Sequence, residues 1–180
     1  MTDALVRRWS DRVTAVLCQR HPEGTRWVSH DQARRVGADP AALWDAALAN
    51  VRAELLRLET VAGDGGAADL AFATGDDRFG LGHLLRLGEL IQGPAPHGVL
   101  VGILGAPGLF AFHKVVRRRE AEAAVEALRR LSPDGRHDTS FTGVFAVHWW
   151  RGGGPNDTEE VAPRAELSPR MAEMLDGLPD

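Results

Sequence analysis

Asp76, Asp77 and His83 are the one acid and histidine grouping in the chain that resembles an enzyme's, with Glu89 close behind. A carboxylate in a turn can orient an imidazole, and an imidazole so oriented can serve as a general base. The competing reading is structural and is the preferred one. Aspartates ahead of a helix cap its free amides and complement its dipole, with no chemistry required. His113 and His148 form a second grouping, because both fall in predicted strands. Adjacent strands would bring them onto one sheet face, where a two-histidine metal site begins. No third ligand accompanies them, so no metal is expected, and hydrogen-bonded structural histidines are the simpler reading.

Trp149-Trp150-Arg151 points to binding. Alternation along a strand sends one Trp inward and the other outward, beside an arginine and the Gly152-Gly153-Gly154 loop. Exposed Trp and Arg dominate protein-binding hot spots, so Trp150 and Arg151, with His148 beside them and His113 on a neighbouring strand, form the predicted binding set. No nucleophile elbow, zinc-protease helix, Walker loop, dinucleotide fingerprint or cysteine pair occurs, and Gly80-Leu81-Gly82 lacks the third glycine a dinucleotide loop needs. No cofactor is expected.

The bulk properties are those of a globular domain. The 180 residues suit one domain able to bury a core of its own. The lone Cys18 has no partner for a disulfide and is expected as a buried reduced thiol. No apolar run approaches the ~20 residues of a membrane span, so the expected compartment is the cytoplasm. A net charge of −4, with signs interspersed, offers no footprint for nucleic acid or acidic lipid. Of 21 basic residues only Lys114 is lysine, and Ile and Asn are scarce. That bias reflects GC-rich coding and a bacterial type of source rather than phosphate recognition.

Leu5, Trp9, Val13, Val16 and Leu17 recur at helical spacing and predict a first helix. Ser29-His30-Asp31-Gln32 has the capping-box spacing and Gly37 stops the short helix it opens. Asp39-Pro40 opens a long helix with the stripe Trp44, Leu48, Val51, Leu55 and Leu58. The Gly63-Asp64-Gly65-Gly66 turn is the candidate edge of a helical N-terminal subdomain (1–62), although the whole chain (1–180) is read as a single domain. A strand at 70–73 and a glycine-weakened helix at 79–91 come next. Val99 to Leu104 and Leu109 to Val115 form a hairpin about Ala106-Pro107-Gly108. In the expected register Gly102 faces His113, and Val101 and Ile103 share a face with Phe110 and Phe112. A helix at 118–131 with Val125, Leu128 and Leu131 inward, a strand at 141–150 with Phe145 inward, a partner strand near 160–164 and a short helix from Ser168-Pro169 complete the chain. The fold class is α+β: N-terminal helices on a mainly antiparallel sheet built from the hairpin and the later strand.

The stretch from Asp31-Gln32 through Gly37 to Ala47-Leu48-Ala49-Asn50-Val51, followed by the hydrophobic strands Val99 to Val115 and Val144 to Trp150, resembles the YtpQ-like bacterial family, a domain of unknown function. The resemblance covers about residues 25 to 150 and implies an α+β fold and no reaction. Where that pattern has a polar turn with Arg and Asp, this chain has Gly105-Ala106-Pro107-Gly108. The function expected from these residues is a non-catalytic binding or interaction module, an adaptor or an immunity-type inhibitor with a protein partner. The alternatives are a small accessory enzyme or hydrolase using His83 with Asp76 or Asp77, and a small-molecule binder using the face around His113, His148 and Trp150.

Overall fold

A computed structural model describes residues 3–10, 13–63, 68–75, 79–104, 108–131, 147–152, 157–161 (backbone alone at 159 and 160) and 169–180. Asp76, Asp77, the Ala106-Pro107 turn and the 141–146 half of the predicted strand, Phe145 included, lie outside them.

The fold is α+β. Its centre is an antiparallel six-stranded sheet in the order β10-β9-β7-β8-β6-β5. The strands are β5 (Leu56–Val61), β6 (Leu70–Gly75), β7 (Val99–Ile103), β8 (Leu109–Lys114), β9 (Val147–Trp150) and β10 (Thr158–Val161). β7 and β8 are the expected hairpin, with Val101 opposite Phe112 and Ile103 opposite Phe110. Gly102 faces Ala111 rather than His113, and His113 faces Leu100. The expected register is out by two positions. An even shift returns every side chain to its own face, so the face assignment survives.

One face of the sheet carries Leu100, Ala111, Val147 and Trp149 against α4 (Arg118–Leu131) and α5 (Pro169–Asp176). α4 matches its predicted limits, buries Val125 and Leu128, and carries the Arg130–Glu126 pair on its outer side. Leu131, predicted inward, is exposed at the helix end. Gly102 is needed on this face, because a Cβ there would stand 2.9 Å from Leu128 Cδ2.

The opposite face carries Val99, Val101, Ile103, Phe110, Phe112 and Trp150 beneath a 3-10 helix (Gly80–Arg86) and the one-turn α3 (Leu87–Leu90). These replace the single helix predicted at 79–91, and the glycines explain why. At Gly80 an added Cβ would stand 2.7 Å from Gly108 Cα, and at Gly88 it would stand 3.2 Å from Trp150 Cη2. Glycines that lower helix propensity here let backbone cross backbone and let an indole lie on the chain.

The N-terminal segment departs most from expectation. In place of a helix it forms two small antiparallel hairpins, β1 (Val6–Arg8) with β2 (Thr14–Val16) and β3 (Cys18–His21) with β4 (Gly24–Trp27). Leu5, Trp9, Val13 and Leu17 are spaced by four, which keeps a helix face but equally keeps the parity of a strand. β-branched Val6, Val13, Thr14 and Val16 favour the extended solution. Ser10 Oγ closes the turn by accepting from Val13 N at 3.0 Å. A ring of backbone bonds then ties the segments: Leu5 N donates to Val28 O, Val28 N to Leu17 O, and Leu17 N to Leu5 O, at 2.8 to 2.9 Å.

Both N-terminal caps form as read. Ser29 and Gln32 make the reciprocal capping box of α1 (His30–Arg35), and the Asp39 side chain accepts from Ala41 N at the start of α2 (Pro40–Ala53). α2 ends sooner than its stripe suggested. Leu55 follows the helix, Leu58 lies in β5, and both are exposed.

Candidate functional site

α2 is a 14-residue helix, yet Trp44 is its only buried residue. Trp44 joins Leu5, Leu17 and Ala33 in a small third core, with Leu43, Ala47 and Leu85 partly covered beside it. Further along the same stripe, Leu48 and Val51 are half-buried at the edge of open space, Val51 lying against Gly82 of the 3-10 helix, where an added Cβ would stand 3.2 Å from Val51 Cγ2. That space is a cleft of about 1340 Å³. Its walls are α2 on one side, the N-terminal hairpins and α1 on another, and the 3-10 helix with Leu81, Leu84 and Leu85 on the third.

Apolar side chains dominate the lining and polar groups gather at the mouth. Arg20 of β3 donates to Glu54 Oε1 at 2.9 Å, and its guanidinium lies 4.8 Å from the Phe79 ring centroid. One side chain therefore links β3, the end of α2 and the entry to the 3-10 helix. Cys18 also lines the cleft, on a strand rather than on the predicted helix. Burial pushes its thiol above the ordinary value, and Sγ donates to Val16 O at 3.4 Å, so it is the protonated, unreactive form that faces the space. Trp9 stands at the inner end, 1% exposed, and its Nε1 has no acceptor among the described residues. Its ring meets His148 edge-on at 5.0 Å.

Among the described residues, those singled out from the sequence do not assemble into this site or into any common one. His148 is fully buried on the sheet face under Trp9. His113 lies on the other face, opposite Leu100, and its Nδ1 bonds Asp69 O at 2.8 Å. The expectation of one shared face fails because β7 separates the two strands, and the pairing of Val101 with both His148 and Phe112 puts His113 out of phase. Trp150, expected outside, is 9% exposed, because the sheet has a covered second face and the ring packs on Gly88. Trp149 is buried on the α4 side with Nε1 donating to His97 O at 2.8 Å. Arg151 is held at the strand end by an ion pair with Asp157. Alternation does divide the two Trp side chains, but into two cores.

His83 is 1% exposed and does not line the cleft. Neither ring nitrogen has a hydrogen-bond partner among the described residues. Burial lowers its pKa below the ordinary value, and the nearby Arg86 adds to the effect. Among the described residues no three His, Cys, Asp or Glu side chains come close enough to hold a metal ion.

Comparison of the chain with protein-family models, with curated proteins and with solved structures gives no match. The cleft is not legible in the sequence, because it forms only where the 9–54 stretch folds against the 79–85 segment, and the hairpins in that stretch themselves carry the spacing of a helix.

No helix among the described residues is long and apolar enough to cross a membrane.

Proposed function

We propose that the chain is a non-catalytic binding module whose cleft takes the apolar face of a segment of a partner protein. The observation that carries this is the uncovered stripe of α2. A helix that buries one of its 14 residues while Leu48 and Val51 border a cavity is a helix lacking part of its packing. The volume exceeds the roughly 300–1,000 Å³ of ordinary small-molecule pockets, and an amphipathic helix laid in an apolar groove fills such a space. Arg20, Arg35 and Glu54 at the margin supply the polar rim that such interfaces use for register. The enzyme reading has less support, since His83 is enclosed and off the cleft.

An apolar fluorescent dye such as anilinonaphthalene sulfonate probes the site without a known partner. The folded protein is expected to bind it saturably. Leu48→Lys, which sets an ammonium against the apolar wall, is expected to weaken binding about tenfold or more with little change in thermal midpoint. Dye binding equal in the two proteins, or absent from the native one, contradicts the assignment.

A further inference from the structure

β5 is an edge strand, bonded to β6 on one side and, among the described residues, open on the other. Five of its six residues are exposed, including Leu58 at 45% and Val61 at 50%, with Leu55 just before it at 58%. A row of unpaired amides and carbonyls beside exposed Leu and Val is a template for another strand. We propose that the strand's partner is β5 of a second copy of this chain, paired antiparallel about a two-fold axis through Leu58, joining the two sheets into one.

Pairing rules and charge select this register. Along a strand, successive residues direct their main-chain groups alternately to one neighbour and to the other, and opposed residues in an antiparallel pair must be of the same kind. Self-pairing about a two-fold axis must therefore be centred on a residue, not between two. Centring on Arg57 sets Arg57 against its own copy, and centring on Glu59 does the same for Glu59. Like charges directly opposed are unfavourable. Centring on Leu58 sets Arg57 opposite Glu59 twice, the two Leu58 side chains together, and Leu55 opposite Val61. Centres nearer either end leave half the strand unpaired. Arg57 and Glu59 have no ion pair or hydrogen bond among the described residues, so both are available. The exposed Leu55, Leu58 and Val61 are covered by the same contact that matches the charges.

Sedimentation equilibrium on the full chain across the micromolar range tests this. The native protein is expected to pass from 19.5 kDa to twice that mass as concentration rises. Arg57→Glu alone and Glu59→Arg alone each create two like-charge pairs and are expected to weaken association about tenfold or more. An equal mixture of the two variants is expected to recover it, because in the mixed pair an acid and a base again oppose each other at both contacts between positions 57 and 59. Recovery on mixing also shows that both single variants are folded. Leu58→Lys is expected to abolish association, with unchanged circular dichroism. A native chain that stays at 19.5 kDa throughout, a dimer indifferent to both charge reversals, or a mixture that fails to recover overturns the proposal.

Discussion

Trp150→Ala is expected to lower the stability of the folded chain by about 3–5 kcal/mol, the range for truncating a fully packed aromatic. The ring is 9% exposed, lies in the core beneath the 3-10 helix, and covers Gly88, where a Cβ would come within 3.2 Å of Cη2. Removing it leaves a cavity between β9 and α3, and a residue without a side chain cannot collapse into it. Chemical denaturation reads the effect as a fall in midpoint at constant slope. The variant at matched folded concentration should bind an apolar dye in the cleft as the native protein does, because Trp150 does not line it. An unchanged midpoint would mean that Trp150 is a surface residue, and the sheet would then have an open second face.

His83→Leu is expected to stabilise the protein at neutral pH by about 1–3 kcal/mol, the desolvation penalty of a buried polar group without a partner. Both ring nitrogens are in that state among the described residues, and the side chain is 1% exposed. The pH dependence gives a second handle. Burial and then Arg86 lower the folded-state pKa, so the native imidazole stays neutral where the unfolded chain's protonates. The unfolded state then binds more protons as pH falls through the ordinary histidine value. Stability from this group is full above that value and declines below it, by up to about 1.4 kcal/mol per pH unit. In His83→Leu that part of the slope between about pH 7 and pH 5 should vanish. Urea midpoints at three pH values suffice. Destabilisation by the substitution with an unchanged slope would mean that the imidazole is satisfied in the folded chain.

Local signals carried well from sequence to structure. The capping box at Ser29, the Asp39-Pro40 start and the Arg118–Leu131 helix depend on contacts within a few residues and formed as read, and the β7 and β8 strands paired as expected but in a register two positions off. Two kinds of pattern misled. A spacing of four at Leu5, Trp9, Val13 and Leu17 satisfies helix and strand alike, and only the ring of bonds through Val28 decides between them. Leu55 and Leu58 continue the α2 stripe in number but not in space, which hides β5. Site residues fared worse for a reason that follows from the sheet. Whether His113 and His148 share a face, or whether Trp150 is covered, depends on which strand lies between and what packs above. The cleft itself needs α2, both hairpins and the 3-10 helix together, and no stretch of sequence contains it.

A partner lying along the uncovered stripe of α2 can be caught directly by a site-specific photocrosslink. A benzophenone amino acid replaces Leu48 in one protein and Leu131 in another; Leu131 is exposed at the end of α4, which packs on the other face of the sheet. Both are irradiated in an extract of the host. The expected result is a discrete adduct from position 48, absent from position 131 and suppressed by excess native protein but not by excess Val51→Arg. Adducts that form equally from both positions, or from position 131 alone, would place the binding surface elsewhere and contradict a partner site on α2.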